Sequence, residues 1–97
     1  MNKANIDLTI TAEQTDDMKH CIGFDAQRVK RGKYKAYRNR YITSDDNRGW
    51  DDLVSKGLAK KQSFENGIGE NPQLYFLSKE GFRFLGGILG VKITEMD

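Results

Sequence analysis

The chain opens with an alternation of apolar and polar positions and then changes to a helical period. Every second residue is apolar over Ile6–Ile10, which predicts a short strand with one buried face. Thr11 and Gln14 then have the spacing of a capping box, so we predict a helix over Ala12–Ile22 that ends at Gly23. The apolar stripe of this helix consists of Met18, Cys21 and Ile22.

A second helical stripe leads into a predicted hairpin. The stripe consists of Trp50, Leu53 and Val54. It predicts a helix over Asn47–Lys56 that ends at Gly57. The candidates for its N-terminal cap are Ser44, Asp45 and Asp46. Two strands follow, Leu58–Phe64 and Leu74–Leu77, and the turn-rich segment Glu65–Gln73 between them predicts antiparallel pairing.

The last part of the chain predicts a third helix and a short strand. Ser78 caps the helix and Gly90 ends it, while Gly86 and Gly87 lower its helix propensity unless a neighbour packs closely there. Its apolar stripe consists of Phe82, Leu85, Ile88 and Leu89. We expect Val91–Ile93 to form a short strand that pairs with the first strand of the chain.

A chain of 97 residues with 37% hydrophobic residues is large enough for one core. The residues that we expect to be buried together are Trp50, Leu53, Leu58, Phe76, Phe82 and Leu85. No apolar run approaches the roughly 20 residues of a membrane span. Residues 1–10 lack the basic start and apolar block of a signal peptide, so we expect a cytoplasmic protein without membrane contact.

The order of elements predicts an α+β fold with three helices and a β-hairpin. Residues 52–61 (DLVSKGLAKK) and 74–81 (LYFLSKEG) resemble the helix-to-wing and wing-to-helix joints of MarR-like winged-helix proteins. The resemblance covers roughly residues 45–90. It implies one winged-helix-like domain over residues 1–97, in which the hairpin is the wing.

A second resemblance spans nearly the whole chain. The segments that carry it are 19–23 (KHCIG), 37–41 (YRNRY), 50–54 (WDDLV) with Gly57, and the pair Tyr75-Phe76. Together they are similar to a group of small phage and prophage proteins from Gram-positive bacteria. The resemblance implies a phage origin, and it supplies no catalytic or binding residues.

The net charge of +2 is distributed unevenly. Residues 26–44 carry seven basic and no acidic side chains, whereas residues 1–25 sum to −3 and residues 45–97 to −2. The seven basic residues are Arg28, Lys30, Arg31, Lys33, Lys35, Arg38 and Arg40. Positive charge of this density is typical of a surface that binds polyanions. We therefore predict nucleic-acid binding through the basic segment 28–40, joined by Lys60 and Lys61 of the hairpin.

The local structure of the basic segment is weakly determined by its pattern. We expect a loop through Lys33 and then a short helix or irregular turn over Lys35–Tyr41, with Tyr34, Tyr37 and Tyr41 on one face. One interpretation is a phosphate-binding surface whose tyrosines stack on unpaired bases. The other is a solvated loop that pairs with the acidic flanks, and in it Tyr37 and Tyr41 belong to the core, where we expect them.

Residues that could carry catalysis or bind metal are few. His20 and Cys21 occur once each, and as neighbours on a helix their side chains diverge by about 100°, too far for a nucleophile and its base. The carboxylates Asp45, Asp46, Asp51 and Asp52 lack the spacing of a calcium-binding loop. We therefore predict no catalytic residue, no cofactor and no metal.

The helix before the hairpin is acidic. Asp45, Asp46, Asp51 and Asp52 outnumber Arg48 and Lys56, which gives this region a net charge of −2. In winged-helix DNA binding this helix enters the major groove, where phosphates would repel it. Nucleic acid should therefore be bound without base readout, as a non-specific ligand. The alternative is a protein–protein adaptor that binds a phage or host protein.

Overall fold

The structure, a computed structural model, describes residues 9–65 and 69–95. Over these residues the chain folds as an α+β unit of three helices and five short strands. The helices are α1 (Ala12–Ile22), α2 (Arg48–Ser55) and α3 (Lys79–Leu89). The strands are β1 (Lys33–Lys35), β2 (Tyr41–Thr43), β3 (Ala59–Ser63), β4 (Gln73–Leu77) and β5 (Lys92–Thr94). None of the helices described is both long and apolar enough to cross a membrane.

The strands form two small sheets. One is antiparallel, in the order β2-β4-β3, and the other pairs β1 with β5 in parallel. The predicted antiparallel pairing of Leu58–Phe64 with Leu74–Leu77 is confirmed, with Lys61 opposite Tyr75. Of the predicted connecting turn, residues 66–68 lie outside the described part of the chain.

Helix α1 has the predicted boundaries. Thr11 Oγ1 accepts a hydrogen bond from the Gln14 N–H at 3.0 Å, and the Gln14 side chain accepts one from the Thr11 N–H at 2.8 Å. This reciprocal pair is the predicted capping box. Gly23 has a φ of 68°, which lets the N–H groups of Gly23 and Phe24 turn back onto carbonyls of the last helical turn.

Helix α2 ends as predicted but has a different cap. The sequence predicts Ser44, Asp45 or Asp46, whereas the Asn47 side chain accepts the hydrogen bond from the Trp50 N–H at 3.0 Å. The prediction is wrong because the helix begins at Arg48, so Asn47 and not one of the three preceding residues occupies the capping position. A side chain caps the N–H two or three residues ahead of it, and only Asn47 stands at that distance.

The buried core contains five of the six residues predicted for it: Trp50, Leu53, Leu58, Phe82 and Leu85. The prediction for Phe76 is wrong, since this side chain is only half-buried. Tyr75 and Leu77 face the helices instead and are 0% and 3% exposed. Successive residues of a strand point to opposite faces, and in the all-apolar run of β4 the sequence does not show which face is inner.

Helix α3 begins at the predicted cap, since Ser78 Oγ accepts a hydrogen bond from the Gly81 N–H at 3.0 Å. The close approach expected at its glycine pair is found at Gly86, where a Cβ atom would lie 2.5 Å from the Val91 carbonyl oxygen. The apolar stripe is shorter than predicted, because Ile88 is 46% exposed.

The strand near the end of the described chain has an unexpected partner. We predicted that it pairs with Ile6–Ile10, but β5 pairs with β1, so that Ile93 lies opposite Tyr34. Thr9 and Ile10 are not in a strand, and the rest of that predicted strand lies outside the described residues. The predicted pairing with Ile6–Ile10 therefore falls mostly outside the described residues, and the sequence pattern did not reveal β1 as a partner.

Candidate nucleic-acid interface

The basic segment folds as two strands joined by a loop. β1 takes Lys33–Lys35, β2 begins at Tyr41, and residues 36–40 connect them. The irregular turn expected within Lys35–Tyr41 is found over residues 36–40, but the prediction is wrong at its ends, where Lys33–Lys35 and Tyr41 belong to strands. The physical reason is that β1 is completed by β5, a strand 56 residues further along the chain, which no local periodicity reveals.

A tight turn places positive charge at the start of β1. The backbones of Lys30 and Lys33 exchange two hydrogen bonds of 2.9 Å. The two residues between them, Arg31 and Gly32, have φ values of 54° and 73°. Two consecutive positive φ values are those of a two-residue hairpin turn whose twist matches the flanking chain. Arg31 therefore lies exposed at the tip of this turn.

The parallel pair of strands has one inner and one outer face. Tyr34 is buried, and its hydroxyl donates to the Gly23 carbonyl oxygen at 2.5 Å. Lys33 and Lys35, on either side of Tyr34, consequently lie on the outer face and are exposed. The register places Lys33 opposite Lys92 of β5, which is also exposed. Two ammonium groups thus occupy neighbouring positions on one face.

The loop 36–40 is fixed to three elements. Its Ala36 N–H donates to Thr94 of β5 at 2.9 Å, and its Arg40 N–H donates to the last turn of α1 at 3.1 Å. The Asn39 side chain pairs with both backbone groups of Leu77, donating at 3.1 Å and accepting at 2.8 Å. The Asn39 amide thereby extends the edge of β4 as a strand would. A loop held at three places presents its side chains in a defined position.

Tyr37, which we expected in the core, is 55% exposed. Ala36 takes the buried position beside it, so the Tyr37 side chain lies outward and covers the Gly23 backbone. The guanidinium of Arg38 lies 5.5 Å from the centre of the Tyr37 ring. Arg38 also donates to the His20 carbonyl at 2.7 Å, which satisfies the C-terminal end of α1. Tyr41 is half-buried and packs against the core, in line with the expectation.

Two clefts lie on either side of Tyr37. The cationic lining of one consists of Arg28, Lys30 and Lys35. The ionisable lining of the other consists of Lys19, His20, Arg28 and Arg38, with Asp16 and Asp25. Lys35 also belongs to the outer face of β1 and β5, so the first cleft and that face are continuous. We refer to the exposed group of Arg28, Lys30, Arg31, Lys33, Lys35, Tyr37 and Lys92 as the basic surface.

The basic surface has little internal neutralisation. Arg28 lies 3.9 Å from Asp25, and both side chains are largely exposed, so this ion pair is weak. Among the described residues, no carboxylate lies within 4 Å of the four cations Lys30, Arg31, Lys33 and Lys92. The sequence prediction missed Lys92, because that residue is isolated in the chain and joins the cluster only through strand pairing.

The remaining predicted site residues lie elsewhere. Lys61 is bound to Asp46 at 2.8 Å and Asp51 at 3.0 Å, and these hydrogen bonds raise the pKa of Lys61. Lys61 therefore serves the fold rather than a ligand. Lys60 is exposed on the outer face of the antiparallel sheet, and Arg40 immediately precedes that sheet. Of the nine predicted residues, five belong to the basic surface, and Arg38, Arg40, Lys60 and Lys61 do not.

Groups that could carry covalent chemistry are constrained by the fold. Cys21 is buried, and burial raises the pKa of its thiol to about 12, so almost no thiolate is present at neutral pH. The His20 ring packs edge-on against Tyr41, with ring centres 5.8 Å apart. Over residues 9–65 and 69–95, no three His, Cys, Asp or Glu side chains are grouped so as to hold a metal ion.

Similarity to known proteins adds no further assignment. No family model matches the chain, and neither a curated protein nor a solved structure matches it significantly. A function for this chain therefore has to be inferred from its own residues and their arrangement.

Proposed function

We propose that the chain is a non-catalytic module that binds nucleic acid through the basic surface. The observation that carries this proposal is a cluster of cations from three parts of the chain. Arg28, Lys30 and Lys35 line a cleft beside the exposed Tyr37, and Lys33 is aligned with Lys92 in the neighbouring strand pair. Arg28 comes from a 3₁₀ turn, Lys33 and Lys35 from β1, and Lys92 from β5. A fold that gathers like charges on one face loses stability unless a polyanion neutralises them.

Phosphate contacts supply most of the affinity in this proposal. Each phosphate that a Lys or Arg neutralises releases condensed counterions, so binding weakens steeply as salt is added. Lys30, Arg31, Lys33 and Lys92 suit this role because no described carboxylate competes for them. Contacts of this kind position a strand and carry no sequence information.

Tyr37 favours single-stranded over duplex ligands. Its ring is exposed between two clefts, and its loop is held by hydrogen bonds to α1, β4 and β5. An unpaired base can stack on such a ring with about 1–3 kcal/mol, whereas a base inside a duplex is already stacked. We expect the single strand to bind more tightly for this reason.

Sequence preference should be weak. In α2, the carboxylates of Asp51 and Asp52 are held by Lys61 and Lys56 at 3.0 Å each. The carboxylates of the helix are thus already bound by lysines from outside it, and Arg48 is the one basic side chain that α2 itself offers to base edges. A protein of this kind distinguishes nucleic acids by strandedness and charge rather than by sequence.

The winged-helix arrangement is part of the same proposal. It is supported by the hairpin β3–β4 that follows α2 directly, and by the third strand β2 on the outer edge of β4. In this arrangement the ligand would lie beside the wing, on the basic surface, rather than under α2. The phage origin implied by the sequence resemblance stays a prediction.

Fluorescence anisotropy with labelled single-stranded and duplex oligonucleotides at about 50 mM salt tests the proposal. We expect the variant Lys30→Gln/Lys33→Gln/Lys92→Gln to bind more weakly on every sequence. The plot of log affinity against log salt concentration should become less steep by about 2. Three phosphate contacts are lost, and each contributes about 0.7 to the slope on a single strand. Tyr37→Ala should reduce single-strand binding at least tenfold and duplex binding little.

The matched control removes the same charge from another part of the surface. Arg40, Arg48 and Lys60 are exposed and lie outside the basic surface, and changing all three to Gln lowers the net charge equally. We expect binding and its salt slope to be nearly unchanged in this variant. Equal losses in the two triple variants, or no binding by the unmodified chain, would remove the basic surface as a nucleic-acid site.

A further inference from the structure

The outer face of the antiparallel sheet carries apolar side chains with no place in the core. The register aligns Ile42 of β2 with Leu74 of β4, and Phe76 lies two residues further along β4. Ile42 is 45% exposed, while Leu74 and Phe76 are half-buried. None of the three packs against the buried core, because β4 already directs Tyr75 and Leu77 into it.

The pattern of β4 is unusual for a sheet with one covered face. Such a strand normally alternates apolar and polar residues, since its outer side chains meet water. Here four consecutive residues, Leu74–Leu77, are apolar, so both faces of the central strand are apolar. The inner face is explained by the core. The outer face has no such explanation in the part of the chain that the structure describes, and exposed apolar surface of this kind marks interaction sites.

Two cations border this apolar face from opposite sides. Lys60 of β3 lies opposite Phe76, and Arg40 immediately precedes β2 and lines a shallow cleft with Ile42. Within the described residues, no carboxylate lies within 4 Å of either cation. Lys61 is different: it points to the inner face and is neutralised by Asp46 and Asp51 there.

We propose that this face docks an acidic, amphipathic segment of a partner protein. Apolar side chains of the segment would cover Ile42, Leu74 and Phe76, and its carboxylates would meet Arg40 and Lys60. This is an apolar patch with a charged rim, the usual composition of a small protein interface. This face shares no residue with the basic surface, so under the proposed function one chain would present a different set of side chains to each ligand.

Charge and side-chain type favour this occupant over two others. A second copy docked by a two-fold axis would bring the same two cations against each other, and over residues 9–65 and 69–95 neither has a carboxylate within 4 Å to neutralise it. For a single strand of nucleic acid the face offers one aromatic ring, Phe76, while its neighbours Ile42 and Leu74 are aliphatic and give successive bases nothing to stack on. An acidic peptide satisfies both the apolar row and its cationic border.

Selection from a display library of random 12-residue peptides on the immobilised full chain tests the proposal. We expect enriched sequences in which Leu, Ile, Phe or Trp residues are flanked by Asp or Glu. The synthesised consensus peptide should bind at least tenfold more weakly to Ile42→Ser and to Lys60→Glu. Both residues are exposed, and Lys60→Glu lies outside the core, so loss of folding is not expected.

A matched control is available in Ile88→Ser. Ile88 is 46% exposed, against 45% for Ile42, but it lies on α3. Peptide affinity should be unchanged in this variant, and oligonucleotide binding should be unchanged in Ile42→Ser. The proposal is overturned if selection yields no acidic apolar consensus, or if the peptide binds Ile42→Ser as tightly as the unmodified chain. It is also overturned if Ile42→Ser abolishes a dimer or oligonucleotide binding.

Discussion

Lysines in the two sheets have opposite surroundings. In the antiparallel sheet, Lys61 lies opposite Tyr75 and is held by two carboxylates, Asp46 and Asp51. In the parallel pair, Lys33 lies opposite Lys92, another cation, and no described carboxylate lies within 4 Å of either. The charge of Lys61 is neutralised within the fold, whereas none of the described carboxylates neutralises Lys33 or Lys92.

The difference shows why a count of basic residues does not define a binding surface. Lys61 connects the hairpin to the start of α2, and the Tyr75 hydroxyl completes the network by donating to Asp51 at 2.8 Å. Lys33 and Lys92 connect nothing and repel each other. Three lysines on strands therefore have different physical roles, and substitutions should separate these roles.

The largest effect should come from removing the packing beneath the Lys61 network. Trp50 is fully buried, and its ring centre lies 5.2 Å from that of Tyr41 and 5.5 Å from that of Tyr75. Trp50→Ala should lower the free energy of unfolding by about 3–5 kcal/mol, measured by urea denaturation. Ile88→Ala, at an exposed position, should change it by less than about 0.5 kcal/mol. A melting temperature of Trp50→Ala within a few degrees of the parent would contradict the packing described.

The second-largest loss of stability should come from replacing Lys61, the lysine that pairs with two carboxylates. Lys61→Met keeps the aliphatic stem and removes the charge, and it should lower the free energy of unfolding by about 1 kcal/mol, the upper range for ion pairs at a surface. A double-mutant cycle with Asp51→Asn measures the coupling directly. Additive effects of the two substitutions would show that the hairpin is not held by this pair.

Acid should weaken the same network. Burial alone would raise the pKa of Asp51, but hydrogen bonds from Tyr75 and Lys61 outweigh it and hold the pKa below its ordinary value. The stabilisation is therefore complete above about pH 4, where the unfolded carboxyl is ionised, and is lost as the pH falls through the lower folded value. The urea midpoint should decline below about pH 4, and Asp51→Asn should flatten that decline.

Asp17 should change stability in acid in the direction opposite to Asp51. Burial, together with the charge of Glu13, raises the pKa of Asp17, so its protonation favours the folded state as the pH falls. Asp17→Asn removes that gain and should make the acid decline steeper. A flatter decline in Asp17→Asn would contradict the assignment.

The smallest effect should come from the unpaired lysines. Lys92→Gln relieves repulsion across the parallel pair and should raise the free energy of unfolding by about 0.3 kcal/mol at low salt. Added salt should erase this gain, since it screens exposed charges. A loss of stability in Lys92→Gln would mean that Lys92 has a structural role like that of Lys61.

The sequence predicts the elements whose determinants are local. The capping box at Thr11, the stop at Gly57 and the cap at Ser78 each depend on residues within one helical turn, and all are found where expected. The N-terminal cap of α2 was predicted wrongly because four consecutive residues, 44–47, all have side chains that can cap a helix. The inner face of β4 is missed because Leu74–Leu77 are all apolar, so alternation gives no direction.

The candidate site was predictable in charge and not in geometry. The run of cations in the basic segment is visible in the sequence, but the partnership of Lys33 with Lys92 needs the pairing of β1 with β5. The exposure of Tyr37 depends on hydrogen bonds from its loop to three other elements. The neutralisation of Lys61 likewise needs the loop before α2 to fold against the hairpin. These are all tertiary contacts, which a local period cannot encode.

The parallel pairing of β1 with β5 also affects the order in which the parts of the chain fold. The chain between these strands has 56 residues, against nine between β3 and β4. Closing the longer loop costs about 1–2 kcal/mol more in chain entropy, so the hairpin should form early and the pair β1–β5 late. During synthesis, β1 leaves the ribosome long before β5 does. Lys33 therefore remains without Lys92 beside it until α3 has been made.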